Sequence, residues 1–272
     1  MKTLVLANQK GGVGKSAAAS LLAHHLAQSG RRVLAIDFDH QGNFSSTVQL
    51  SGRAKDAGLT SDRLLSEAGV RCPTEGFVMV PASDQLMFLE RQAAMHTPFA
   101  QNFRAFLKRV DADFDICIVD TNPNPDIRVI ASLASADFVL SPIQLNQEAI
   151  DGVRAMLLHP RVGVYKIKAL LNPKLELIGL LPTMVEATPY QRANFRQLIE
   201  RYLSLMIRIG DGPGDLASIP KRSAIAEAQA SGEILWEMKK TAARDAWKEI
   251  EPSIRHLASL VTSSEVRHAT AA

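Results

Sequence analysis

Cysteine is scarce: the 272 residues hold two, Cys72 and Cys117, far apart and without metal-ligand spacing. This excludes a disulfide framework and a cysteine zinc site. Cys117, inside the apolar run Ile116-Cys117-Ile118-Val119, reads as a small buried hydrophobe. Long apolar runs are also missing. Residues 1–7 are apolar only until Asn8, too short for a signal-peptide core, and nothing later approaches the roughly 18 residues of a membrane span. A cytoplasmic protein is expected. Internal repeats, low-complexity tracts and long linkers are absent; the Pro/Gly-rich stretches 122–126 and 210–214 are short enough for loops. Neither sign of charge dominates. The net charge is +3, with the positive excess in residues 151–272, a weak hint of a polyanion partner there.

What is present is ordinary globular composition, 46% hydrophobic and 22% charged. Short apolar runs at 3–7, 32–38, 76–80, 115–119, 138–140 and 175–181 read as strands. Helical spacing lies at 16–29, 148–158 and 190–206, with a long helical region at 239–260 bent at Pro252. Strands alternating with helices predict an α/β fold: a mostly parallel twisted sheet with helices on both faces. One domain over residues 1–262 and a loose tail at 263–272 are expected.

The stretch Asn8-Gln9-Lys10-Gly11-Gly12-Val13-Gly14-Lys15-Ser16 departs from the usual phosphate-loop pattern G-x-x-x-x-G-K-[ST]. Gln9 stands where the first glycine belongs, and a second lysine follows it. Gly11, Gly12 and Gly14 let the backbone close around phosphates, at a helix start whose free N–H groups and dipole favour anions. Lys15 would neutralise phosphate oxygens and the Ser16 hydroxyl would ligate Mg²⁺; Val13 and Ala17 complete the cradle. A plain glycine turn is the bland alternative. Nucleotide hydrolysis also needs carboxylates. Asp37 and Asp39 close the second strand, on one side by the period-two rule, and Asp120 ends "DICIVD" as a Walker B acid would. Each alone could be a helix-capping Asp, but together they sit where α/β sheets bind ligands.

In this order "KGGVGKS", "AIDFDHQGN" and "ICIVDTNP", continued by "ADFVLSPIQ" and "SIPKRSAIAEAQASG", resemble the deviant Walker A ATPases of the ParA/MinD superfamily over residues 1–248. Within it the chain most resembles plasmid-partition ParA proteins of the short IncC type. They share the opening "MKTLV.ANQKGGVGK" and a late segment like "KKTAARDAWKE". The resemblance implies a P-loop NTPase fold, ATP and Mg²⁺ as cofactors, and an ATP-bound sandwich homodimer in which Lys10 reaches the partner's nucleotide. It implies that Asp39 orients or activates the attacking water, that Asp37 and Asp120 hold Mg²⁺ through its shell, and that residues 121–126 form switch II. Pro142 resembles a loop proline of the family, while Thr183, Met184 and Pro220 are candidates for lining the adenine pocket. His40 and Asn122 depart from the family pattern, at positions that bear on the hydrolysis rate.

The resemblance further implies non-specific DNA binding by the ATP dimer, a nucleoid-associated protein in the cytoplasm, and a ParB-like centromere-binding partner that stimulates hydrolysis. Lys240, Arg244 and Lys248 recur at i, i+4, i+8 and share a helix face, and Lys221-Arg222 open another helical segment. Such a stripe can neutralise DNA phosphates, or it is a solvated face balanced by Glu237, Asp245 and Glu249. The end, "VTSSEVRHATAA", is too poor in large apolar residues for a membrane-binding helix. No operator-binding domain is expected ahead of the first strand. His24 and His25, about 100° apart on a helix, make a poor chelate, and Trp236 and Trp247 are expected to pack the C-terminal helix onto the sheet. Two further functions remain open: an ATP-switched scaffold positioning a protein cargo without DNA binding, and a metabolic P-loop enzyme, which leaves Lys10 without a role.

Overall fold

Alternation along each inner strand decides the architecture. In the computed structural model, which describes residues 1–212 and 214–263, the strands are β1 (Lys2–Leu6), β2 (Val33–Asp37), β3 (Lys55–Asp56), β4 (Phe77–Val80), β5 (Ile116–Asp120), β6 (Phe138–Gln144), β7 (Glu176–Val185) and β8 (Ile219–Pro220). The helices are α1 (Lys15–Gln28), α2 (Asn43–Leu50), α3 (Ser61–Ser66), α4 (Leu86–Leu89), α5 (His96–Arg109), α6 (Ile127–Ser135), α7 (Ala149–Leu158), α8 (Val164–Leu170), α9 (Pro189–Tyr202), α10 (Ser223–Ser231) and α11 (Thr241–Thr262). The strands form one sheet in the order β3-β4-β2-β5-β1-β6-β7-β8, and every pairing is parallel.

On one face Val5, Leu34, Ile36, Cys117 and Val119 meet Phe99, Phe103 and Phe106 of α5 and apolar residues of α3, α6, α7 and α8. On the other, Leu4, Leu6, Ala35 and Ile118 meet α1, α2, α10 and α11. Burial on both sides is why these strands read as unbroken apolar runs. The expected strands stand, with boundaries shifted by a few residues. β3 and β8 escaped the sequence reading because two residues carry no pattern; the backbone of a neighbouring strand recruits them. The helix expected at 190–206 ends at Tyr202 and gives way to a 3₁₀ turn, Leu203–Leu205. The C-terminal helix begins at Thr241 and runs through Pro252 unbroken. The expected tail beyond Ser263, and with it most of the C-terminal segment judged against membrane binding, lies outside the described residues. No helix among the described residues is long and apolar enough to cross a membrane.

Register fixes the functional edge. Leu6 lies beside Asp120 and Leu140, and Asp37 beside Asp120, so β1, β2 and β5 finish together at their carboxyl ends while β6 runs on beside β7 to Gln144. The β1 to α1 loop leaves the sheet at that edge, beside the point where the chain order reverses around β1.

Candidate functional site

Gly12 and Gly14 hold left-handed backbone, at φ 71° and 77°, which side chains disfavour. Gly14 is the N-cap of α1 and gives the helix no side-chain cap, so the first N–H groups of α1 are left for an anion. Both ends of the loop are pinned. The Asn8 side chain accepts from the Lys10 N–H at 2.9 Å and donates to the Pro142 carbonyl at 2.8 Å. The Thr183 hydroxyl donates to the Val13 carbonyl at 2.7 Å.

A cleft of about 710 Å³ opens over the loop, lined by residues 11–17, Asp39, His40, Asn43, Ser46, Pro123, Asn124, Met184, and Ala226, Gln229 and Ala230 of α10. It gathers the predicted phosphate cradle, Gly11, Gly12, Val13, Gly14, Lys15, Ser16 and Ala17, with Asp39. The adenine-pocket candidates divide. Met184, the sole non-glycine residue with positive φ among those described, lines the cleft. Thr183 and Pro220 do not: Thr183 is buried beneath the loop and holds it, and Pro220 is buried in β8 opposite Val185. The sequence reading missed Asn8 as a brace and the α10 residues as a wall. Asn8 belonged to the quoted motif and α10 to the quoted segment "SIPKRSAIAEAQASG", but neither role is written in the residues themselves.

The carboxylates occupy different environments. Asp37 is fully buried and accepts from the Ser45 N–H and hydroxyl, both at 2.8 Å, and from the Asp39 N–H at 2.9 Å. It thereby braces the first turn of α2. Asp39 does not share a strand face with it, because β2 ends at Asp37 and the chain turns toward Gly42; Asp39 is half-buried and accepts from the Gln41 N–H. Asp120 is fully buried, takes the Ser16 hydroxyl on Oδ2 at 2.5 Å, and leaves Oδ1 with no partner. Burial raises both carboxyls. Asp37 is pushed up to about 6, against its bonds from Ser45 and Asp39. Asp120 rises well above the usual range through burial and then the charge of Asp37, with Ser16 and Lys15 opposing. Burial lowers Lys15, against the attraction of Asp120 and Asp39.

An orphaned buried carboxylate oxygen beside a serine hydroxyl, with further carboxylates at hand, is an all-oxygen donor set that suits Mg²⁺. Among the described residues no three His, Cys, Asp or Glu side chains converge to hold a metal by themselves. That is the pattern for an ion that keeps waters and phosphate oxygens as ligands.

Lys10 points away from its own cradle. Its Nζ lies 2.5 Å from Glu148 Oε2, just before α7. Of the five predicted DNA contacts three are paired: Lys221 with Glu186, Arg222 with Glu249 and Lys240 with Glu227. Lys240 precedes α11 rather than lying on it. Arg244 and Lys248 have no carboxylate partner among the described residues, and neither do the exposed Arg192 and Arg196, one turn apart on α9, which the sequence reading passed over. Trp236 and Trp247 stack at 4.3 Å and meet His25. They pack α11 against α1 rather than directly on the sheet. His24 is buried, bonded to Ser20 and Ser51.

The AAA domain family matches residues 1–177. Protein IncC of Escherichia coli is 34% identical over 263 residues, covering 92% of this chain and 67% of the relative. The chromosome-partitioning ATPase Soj of Thermus thermophilus is 31% identical, covering 86% of this chain and 87% of its own. Among solved structures, cobyrinic acid a,c-diamide synthase from Mycobacterium smegmatis with bound ADP and magnesium superposes with a TM-score of 0.65 at 27% identity, covering 86% of this chain and 91% of that one. Loop, carboxylates, parallel sheet and relatives agree, and the chain belongs to the ParA/MinD family of P-loop ATPases, as a homologue of the IncC, Soj and ParA partition proteins.

Proposed function

We propose that this chain is a DNA-partition ATPase: ATP and Mg²⁺ close a sandwich homodimer, the dimer binds DNA non-specifically, and a ParB-like centromere-binding partner stimulates hydrolysis and releases it. The protein then works in the cytoplasm on the nucleoid, as one ATPase domain over residues 1–262. The observation that carries this reading is the placement of Lys10: it belongs to the phosphate loop yet lies on Glu148, outside its own cradle. A lysine unused by its own nucleotide is available to a second subunit. Dense phosphate charge at a subunit interface would draw it across, so closure depends on nucleotide.

In this mechanism the N–H groups of residues 11–16 and the Lys15 ammonium bind the phosphates, and burial of Lys15 strengthens that attraction. Mg²⁺ bound here would supply positive charge to neutralise phosphate charge. Ser16 and Asp120 would hold it, with Asp37 behind them in the outer shell. Asp39, on the cleft wall, orients the attacking water and takes up its proton. Met184 bounds the base. Of the predicted DNA contacts, Arg244 and Lys248 carry no competing carboxylate among the described residues; Arg192 and Arg196 add cations that can meet phosphates.

The test is retention of non-specific duplex DNA by the intact protein with no nucleotide, ADP or ATP across a salt series, beside Lys10→Ala and Lys15→Ala. ATP-dependent, salt-sensitive retention lost in both variants supports the proposal. The pairing of Lys221, Arg222 and Lys240 with glutamates favours one alternative, a nucleotide-switched scaffold for a protein cargo. ATP-driven dimers that ignore DNA at low salt decide for it.

A further inference from the structure

Below the cleft lies a buried charge that neither the phosphate loop nor the Mg²⁺ donors use. Arg128, in the first turn of α6, and Asp126, its N-cap, are 4% and 7% exposed at their side chains. Asp126 Oδ2 accepts from Arg128 Nε at 3.0 Å, from Nη2 at 2.5 Å and from Asn122 Nδ2 at 2.9 Å, while Oδ1 accepts the Arg128 N–H at 3.0 Å. The remaining arm of the guanidinium, Nη1, reaches the Phe38 carbonyl at 3.4 Å.

Phe38 stands between Asp37 and Asp39, and its carbonyl shares one peptide group with the Asp39 N–H. That N–H donates to Asp37. The peptide carrying Asp39 is therefore held at both ends, on one side by a carboxylate of the site and on the other by Arg128. The turn before α6 is anchored separately from outside: Glu90 accepts the Ile127 N–H at 2.8 Å, and Arg161 donates to the Pro125 carbonyl at 3.2 Å. Arg128 thus joins an anchored switch loop to the backbone of the water-orienting residue. A buried ion pair adds little stability over apolar packing, so its use lies in fixing geometry.

We infer that Arg128 is a positioning residue: clamped by Asp126, it fixes the Phe38–Asp39 peptide and makes the placement of Asp39 depend on the conformation of residues 121–126. The inference rests on the ATPase reading for its consequence, and on the clamp alone for its geometry. A lysine at 128 keeps the charge but lacks the planar fork, so it cannot serve Asp126 and Phe38 together.

Arg128→Lys is therefore expected to lower kcat for ATP between about ten- and a hundredfold, the scale of an ångström-level misplacement. KM and nucleotide affinity should change less than about threefold, since the phosphate cradle is untouched. Because Arg128→Ala strands a buried carboxylate, the companion is the neutral double variant Asp126→Asn/Arg128→Met. It should match the wild type in urea midpoint and still lose kcat. Recovery of kcat together with stability in the double variant, or full kcat in Arg128→Lys, overturns the inference. Amide hydrogen exchange in the nucleotide-free protein decides the geometry without turnover. Arg128→Lys should speed exchange across residues 37–42 while leaving α1 unchanged, and unaltered exchange at 37–42 refutes the clamp. Absence of Lys15-dependent turnover in the wild type counts instead against the ATPase reading, and the exchange result stands apart from it.

Discussion

Stripped of nucleotide and divalent cation, the protein should lose stability as pH rises through the range where the buried Asp37 ionises. Its carboxyl is moved from an ordinary 3.8 to about 6, chiefly by burial. Between those values the folded chain binds more protons at Asp37 than the unfolded chain does. Stability from this group is therefore complete below about pH 4, falls as pH rises, and levels off above about 6. The displacement corresponds to about 3 kcal/mol, of which about 2 kcal/mol is lost between about pH 4.5 and pH 8. Burial lowers His24, His25 and His256, which gives a slope of opposite sign, so the wild-type curve alone is not diagnostic. The informative quantity is the difference from Asp37→Asn in urea unfolding with EDTA across that range. The variant keeps one acceptor oxygen and loses the other, so it forfeits either the bonds from Ser45 or the one from Asp39 at every pH, a constant offset. Its relative stability should still improve by about 2 kcal/mol or more toward pH 8, because neutralising Asp37 also removes a charge that raises Asp120. Saturating Mg²⁺ with ADP should flatten the wild-type curve. Parallel curves for wild type and variant would refute the account of a buried Asp37 carboxyl held above its ordinary range.

Thr183→Val keeps the side-chain shape but leaves the Val13 carbonyl without its donor; it should cost about 1–3 kcal/mol in urea unfolding and weaken nucleotide binding by calorimetry. Glu148→Gln releases Lys10 from its exposed partner and should tighten ATP-driven self-association a few-fold at low salt, read by analytical ultracentrifugation. If DNA is the cargo, replacing Arg192 and Arg196 by Ala should weaken ATP-dependent retention more than replacing Lys221 and Lys240, and should reduce the salt slope by about 0.9 for each phosphate that is no longer neutralised. The reverse order would place the DNA surface at the segments leading into α10 and α11 instead.

The parallel sheet, its inner strands and the phosphate loop were legible in the sequence because each is a local pattern. A strand buried on both faces is a continuous apolar run, and a loop that closes on phosphates needs glycines at fixed offsets before Lys15 and Ser16. Asp120 and Asp37 were legible as strand-end acids. Their unequal surroundings were not: whether a carboxylate keeps an orphaned oxygen, as Asp120 does, or braces a helix, as Asp37 does, depends on α1 and α2 arriving from elsewhere in the chain. The pairing of the basic residues was hidden for the same reason. Helical spacing aligned Lys240, Arg244 and Lys248, but the glutamates that neutralise Lys221, Arg222 and Lys240 come from separate segments. Thr183 shows the limit most plainly, since a position read as a pocket wall is the underside of the loop, joined to Val13 across 170 residues. Sequence by itself determined the glycine loop with its lysines and serine and the strand that feeds it, because those are set by residue type and local backbone. Only the tertiary structure decided which charges are already paired, where Lys10 rests and what Arg128 holds, because those depend on groups brought together by the fold.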